Sequence, residues 1–523
     1  MGHVIAKIVY ALAGVALAFS LVGLHRASND IQRTSTVLAG GVPAVVWEPS
    51  PPLPFGQTPS FDPPVPVVIL CHGFAGDSEM MSSLARRIAK AGYAVIALEF
   101  HGHGENRNPF AFSPDGGLLG ADIDAALLYA RTQPRFDGER IALAGHSMGA
   151  FAVVAHASRD PGVAAVVAIS GGAPMSGPFT PPNTLAIWAD GDPAGLRRGA
   201  RELAAKAAGL EQLVADKTYG EPARGTGVRM TEVPGVDHVT ILYSAEAARR
   251  IADWLGETLG PGHGTPETPG PDPRLPFVLA GLAAAVVCAF GLPRLLAPLA
   301  PRMGLAPVPK PWLPLGLLAV SLAAALAIQS GADSLATRGM FSFVPLTAGR
   351  DLFGFFALTG AIFLALGSRR RAASADGLGD SRTWLAAGAL FLAVYAVIGT
   401  LVLPFWDTFP AAHRLPWALV ATALFLPYFG ASECLLRGAG RTGWWLPAVG
   451  KALTLAVVVA GCLGGLLPFV IVLGIAPIAL NFVLFEIVAL RIGRWMPGPW
   501  IAALFQAAFT GFSFAAVFPY EGS

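Results

Sequence analysis

The chain has 523 residues, 54% of them hydrophobic and 13% charged, with a formal net charge of +2. Soluble globular proteins carry about 25% charged residues, so this average belongs to a membrane protein. The near-neutral balance, with no long Lys/Arg block, argues against a nucleic-acid partner, and four cysteines, three of them inside apolar runs, argue against a disulfide framework.

In chain order, residues 8–24 form an uncharged apolar run preceded by Lys7. Ala16-Leu17-Ala18 would pass as a signal-peptidase site, but the run continues past it to a spanning length. Residues 1–25 therefore read as a transmembrane anchor, with a cleaved signal peptide as the alternative. Most of the charges follow, between 25 and 260. Apolar strand-like runs occur at 65–71, 94–100, 140–144, 163–170, 184–189 and 228–233, with helical stretches at 79–91, 119–132 and 147–159. Near-continuous apolar strands separated by helices predict a mostly parallel sheet covered on both faces. The proline-rich 49–66 segment reads as a loop between strands. The Gly/Pro-rich 259–274 segment reads as a semi-rigid linker.

From residue 275 the apolar runs recur. Eight spans are expected, near 276–296, 312–330, 352–368, 384–403, 416–433, 446–466, 468–490 and 499–518. Arg369, Arg370, Arg371 and Arg382 form the densest basic cluster, which should lie in the cytoplasm. Alternation from there puts Lys7, Arg294, Arg302, Lys310, Arg437, Arg441, Lys451, Arg491 and Arg494 on the same side. Arg274, Arg338, Arg350 and Arg414 fall on the other side, and so does the 37–258 region.

The chemistry centres on Gly145-His146-Ser147-Met148-Gly149, which follows a strand and precedes a helix. A serine hydroxyl needs a base to take its proton, a group to orient that base, and donors for the oxyanion. The two glycines permit a tight turn that would expose Ser147 above the sheet edge. An acid and then a histidine should follow in the chain. Asp192, just past the 184–189 strand, is the expected acid, with Asp190 as its competitor. Of the three histidines beyond Asp192, His263 lies in the linker and His413 between spans, which leaves His238 as the base. The strand ending in Cys71-His72-Gly73-Phe74 would bring the Phe74 amide to the developing charge, together with that of Met148. His72 reads as structural.

This order of motifs (CHGFAGDS, EFHGHGEN, GHSMG, IWADGD, GVDH) resembles the α/β-hydrolase superfamily over residues 37–258. The resemblance implies an α/β-hydrolase fold, mostly parallel with helices on both faces. It makes Ser147 the nucleophile, His238 the base, Asp192 the acid, and Phe74 and Met148 the oxyanion donors. The gap from Asp192 to His238 is longer than usual in the superfamily, and an insertion at 211–227 would account for it. Only about a dozen residues separate Gly171 from Asn183, so no large lid domain is expected there and the site should be fairly open. His101 and His103 lack a completing carboxylate or cysteine cluster, so no metal is expected, and no cofactor.

In the membrane half, Ser432-Glu433-Cys434-Leu435-Leu436-Arg437-Gly438 faintly resembles the Glu-Glu-x-x-x-Arg motif of intramembrane CAAX-type proteases. The first glutamate is replaced by Ser432, and the spans hold no histidines for a metal. The preferred reading pairs Glu433 with Arg437 one helical turn away; Glu486 is a second intramembrane carboxylate.

The expected protein is a serine hydrolase of carboxylic esters, esterase- or lipase-like, integral to a bacterial-type cell membrane with the hydrolase domain outside. Its partners would be the membrane and a small or lipid-like, amphiphilic ester. The alternatives are a transporter or scaffold with an accessory hydrolase-like domain, and an acyltransferase using the same three residues.

Overall fold

A computed structural model describes residues 2–54, 56–111, 117–160, 162–172, 175, 177–264, 267–301, 310, 312–330, 341–367, 378–437, 445–496 and 498–522. Eight strands form one sheet: β1 (Gln32–Val37), β2 (Pro43–Glu48), β3 (Val65–Cys71), β4 (Ala94–Leu98), β5 (Phe136–His146), β6 (Ala165–Ile169), β7 (Thr184–Ala189) and β8 (Val228–Val233). Their spatial order is β1-β2-β4-β3-β5-β6-β7-β8. β2 pairs antiparallel with both neighbours, and every pairing from β4 to β8 is parallel. This is the α/β-hydrolase fold. The antiparallel β1–β2 hairpin at the edge is the one part of the sheet without an expected counterpart. Its β1 is mostly exposed and polar, so it lacks the apolar run that marks the buried strands.

Six helices accompany this sheet: α1 (Gly2–Ser28) before it, then α2 (Ser82–Lys90), α3 (Gly117–Thr132), α4 (Met148–Ala157), α5 (Ala194–Ala208) and α6 (Ala245–Leu259). Alternation along β3 divides the core. Val67, Ile69 and Cys71 pack with α3 and α4 residues such as Ile123 and Val153. Val68 and Leu70 pack with α2 and α6 residues such as Ile88 and Trp254. Burying a Val, Leu or Ile side chain fully contributes about 1.5–3 kcal/mol, so the two faces hold the sheet between helix layers.

The second half is helical: α7 (Leu275–Leu296), α8 (Trp312–Ser330), α9 (Gly349–Leu366), α10 (Ser381–Val402), α11 (Leu415–Ala431), α12 (Leu446–Leu463), the short α13 (Val470–Leu473), α14 (Ile475–Trp495) and α15 (Pro499–Val517). Among the described residues, nine helices, α1 included, are long and apolar enough to cross a membrane. α11 packs closely on its neighbours because small residues let the backbones approach. A Cβ on Gly360 of α9 would meet the Tyr428 nitrogen at 2.1 Å, and one on Gly511 of α15 the Thr422 nitrogen at 2.5 Å. α1 packs on α7 through Phe19 and Phe277.

The helices alternate so that one end of the bundle meets the hydrolase domain. Ser82 donates to the Pro404 carbonyl, the Asp407 amide to Asp77 at 3.1 Å, and the Tyr243 hydroxyl to the Phe405 carbonyl at 3.1 Å. Arg414 is fully buried and donates to the carbonyls of Ala516 and Phe518 and to that of Gly102. The segment before α7 lies against the hydrolase surface: His263 and Glu267 amides bond the Gly92 and Lys90 carbonyls, and Ser83 donates to Asp272 at 2.8 Å. Of the basic residues used for orientation, Lys7, Arg294, Arg382, Lys451, Arg491 and Arg494 belong to helix halves remote from the hydrolase domain. Arg302, Arg338, Arg369, Arg370, Arg371 and Arg441 lie outside the described residues.

Candidate active site

Ser147 sits between β5 and α4 with φ 51° and ψ −114°. A positive φ is strained for any residue with a Cβ. The turn is held because the Ser147 amide donates to the Ile169 carbonyl at 2.9 Å. Glycine is required on both sides: a Cβ on Gly145 would lie 2.2 Å from the Gly149 carbonyl oxygen, and one on Gly149 would lie 2.4 Å from that of Cys71. Ala75 and Ser170, beside the same strand ends, also have positive φ, so three of the six such non-glycine residues described gather here.

The structure brings Ser147, His238 and Asp192 together. His238 Nε2 lies 3.0 Å from Ser147 Oγ, and His238 Nδ1 lies 2.6 Å from Asp192 Oδ1. A carboxylate only accepts, so Nδ1 carries the proton and the Nε2 lone pair faces the hydroxyl. Asp192 Oδ2 accepts from Ser170 Oγ at 2.7 Å and from the Ala189 amide at 2.9 Å. Burial would raise its pKa, but the bonds from His238, Ser170 and the Ala189 amide outweigh it and hold the carboxyl below its ordinary value. Asp190, the competing acid, instead accepts from the amides of Gly235 and Val236 and shapes the loop that carries His238.

Two further histidines brace the site. His146 Nε2 donates to the His238 carbonyl at 2.7 Å. Burial, reinforced by the adjacent His238, lowers its pKa to about 3, so it stays a neutral support. His72 Nδ1 donates to the Gly73 carbonyl at 2.8 Å, and its Nε2 accepts from the Phe100 amide at 3.0 Å. Burial lowers its pKa to about 4. It thus pins the Gly73-Phe74 turn over Ser147, where a Cβ on Gly73 would lie 3.1 Å from the Ser147 Cβ. Phe74 is half-buried on this turn, and Met148 is buried at the first position of α4.

Sequence reasoning missed Ser170 and the bracing role of His146. A lone serine just after the apolar β6, next in the sheet to the strand that leads into Asp192, was the available signal for the first. His101 and His103 are engaged separately: His101 Nδ1 with Asp122 at 2.7 Å, and His103 Nδ1 with the His101 carbonyl at 2.9 Å.

The site is not open, contrary to expectation. No lid is inserted among the described residues between β6 and β7, yet the membrane bundle roofs the serine. A cavity of about 490 Å³ is lined at one end by Gly73, Phe74, Ala75, Ser147 and His238, and elsewhere by residues of α7, α10, α13, α14 and α15. Counting residues between strands misses a cover supplied by another part of the chain.

Glu433 and Glu486, which are not among the residues lining this cavity, form a buried network. Glu433 pairs with Arg437 as expected, and Arg437 also bonds Glu486 at 2.7 Å. Lys451 bonds Glu486, and Gln506 donates to Glu433 at 2.8 Å. Two acids and two bases thus satisfy one another.

Residues 62–192 match the family of serine aminopeptidases, S33. An uncharacterized 31.7 kDa protein of Escherichia coli is 33% identical over 107 residues, which are 20% of this chain and 36% of that protein. A monoacylglycerol lipase of Mycolicibacterium smegmatis is 34% identical over 115 residues, 22% of this chain and 40% of that one. The matched stretches thus span little more than a third of the length of these relatives. An esterase of Pyrococcus furiosus aligns with 45% of this chain and 96% of its own at 15% identity, with a TM-score of 0.32. By sheet topology, the first half of the chain has the α/β-hydrolase fold, and the stretch within it that matches the serine aminopeptidase family runs from residue 62 to 192.

Proposed function

We propose that this protein is a membrane-anchored serine hydrolase that cleaves carboxylic esters through an acyl-enzyme on the extracytoplasmic face. The observation that carries the reading is a single imidazole bonded to both Asp192 and Ser147, at 2.6 and 3.0 Å. Ser147 Oγ attacks the ester carbonyl while His238 Nε2 takes the hydroxyl proton. Asp192 stabilises the resulting imidazolium without itself becoming protonated. The Phe74 and Met148 amides bond the tetrahedral oxyanion, the term that commonly contributes most. The carbon–oxygen bond to the alcohol breaks, and His238 returns its proton to the departing alkoxide. Water, deprotonated by His238, then releases the acid and restores Ser147. The lipase name of one relative agrees with an ester substrate. The side of the membrane rests on the basic residues in the helix halves remote from the hydrolase domain.

The test is covalent labelling of the full-length, detergent-solubilised protein by a fluorophosphonate. Labelling that maps to Ser147 and vanishes in Ser147→Ala is the expected result; a folded preparation that resists labelling refutes the reading. Sidedness is read by whether a membrane-impermeant reagent reaches a cysteine placed at exposed Glu202 in intact cells.

A further inference from the structure

We propose that the substrate is a membrane lipid bearing a long acyl ester, and that its chain occupies the interdomain cavity after entering sideways from the bilayer between α7 and α14. This rests on the hydrolase reading above. The cavity begins at Ser147 and continues between spanning helices. Along α14 its lining runs from Gly474 to Ile487; at 1.5 Å of rise per residue that is about 20 Å, a large part of the hydrocarbon thickness.

The walls are apolar. Beyond the catalytic end, Thr408, Asn481 and Ser513 are the lining residues with hydroxyl or amide side chains. Such a cavity holds hydrocarbon more favourably than water, and a short soluble ester would leave most of it unfilled. Trp406 also lines it, and its buried indole N–H has no intramolecular acceptor, so a donor is left for the polar part of a lipid.

Access follows from exposure. Pro477, Leu480 and Val483, spaced three apart on one stripe of α14, line the cavity, and Leu480 and Val483 are also 66% and 57% exposed. Ala283 of α7 is likewise exposed and cavity-lining. On membrane-spanning helices, such exposed apolar surface faces lipid tails. The cavity is therefore continuous with the bilayer, and a lipid chain reaches Ser147 without crossing water. The membrane bundle is the acyl-binding half of the enzyme.

The probe is a long-chain alkyl fluorophosphonate carrying a diazirine near the chain end, applied to the full-length protein in lipid nanodiscs. Ser147 Oγ displaces fluoride from phosphorus, its proton passing to His238, and illumination then cross-links the chain where it lies. Cross-links mapping to 478–487 or 282–286 are expected. Phosphonylated Ser147 with cross-links confined to the hydrolase surface overturns this proposal and leaves the hydrolase reading standing. Absence of phosphonylation at Ser147 overturns the hydrolase reading itself. As a second measure, Val286→Trp and Leu484→Trp should each lower the ratio of kcat/KM for p-nitrophenyl palmitate over acetate by roughly tenfold or more, since loss of apolar pocket contacts acts on that scale. Leu419→Trp, on a lipid-facing position outside the cavity, should keep the ratio. An unchanged ratio in both cavity variants overturns the proposal.

Discussion

The protein buries ionisable side chains in two places, and the two differ in what they leave over. In the membrane bundle, Glu433, Glu486, Arg437 and Lys451 satisfy one another, with Gln506 filling a remaining valence. At the strand ends, Asp192 is saturated by His238, Ser170 and the Ala189 amide, but His238 keeps one lone pair directed at a hydroxyl that borders a cavity. A closed network of opposite charges fixes helices in register. An open one has a proton acceptor to spend on chemistry. Burial alone does not separate the two; the unspent valence beside an accessible volume does.

Substitutions can break this contrast. Ser147→Ala should lower ester hydrolysis by roughly 10⁶-fold, as loss of a triad nucleophile does elsewhere, with the melting temperature in detergent nearly unchanged. If the residual rate stays within tenfold of the parent, the open network is not catalytic. Arg437→Met should do the reverse. It leaves Glu433 and Glu486 with Lys451 as the remaining cation between two acids, and breaking such a buried pair costs about 3–5 kcal/mol. The expected readout is a much lower melting temperature, while the fraction that remains folded labels at Ser147 at the parental rate.

Smaller effects sharpen the comparison. Ser170→Ala removes one bond to the Asp192 carboxylate, and hydrogen bonds to charged groups are worth about 1.5–3 kcal/mol, so kcat should fall by roughly ten- to a hundredfold with KM little changed. An effect on KM alone would mean that Ser170 serves binding. A further effect is expected at the domain interface. Burial, with Glu99 and Asp407 nearby, raises the Asp77 pKa to about 8. An acid whose pKa is raised on folding contributes stability that is complete below its unfolded value near 3.8 and is lost as pH rises through the folded value. Between about pH 4 and pH 8 the melting temperature of Asp77→Asn, measured against its own value at pH 4, should therefore fall less than that of the parent; the Asn side chain keeps an acceptor for only one of the Met80 and Asp407 amides.

Much of this was legible locally. Gly145 and Gly149 mark a turn because two backbones meet there, and that is visible as a motif. His238 stood out because few histidines follow Asp192. Asp190 and Asp192 are indistinguishable by composition; the fold separates them by giving the first to the amides of Gly235 and Val236 and the second to the imidazole. Ser170 carried no motif, because its role depends on two neighbouring strands ending at the same level. β1 went unseen because an exposed polar edge strand carries no apolar run.

By itself, the amino-acid sequence determined where the chain meets water, lipid or its own core, since apolar run length and period answer directly to those solvents. It also determined which residue types could do acyl chemistry, because that chemistry admits few side chains. Only the tertiary structure decided that the bundle closes over Ser147, that Arg437 serves two carboxylates, and that the cavity reaches exposed apolar residues of α14. These depend on segments more than a hundred residues apart packing at one interface, and no local pattern records the shape of a space that several distant helices enclose together.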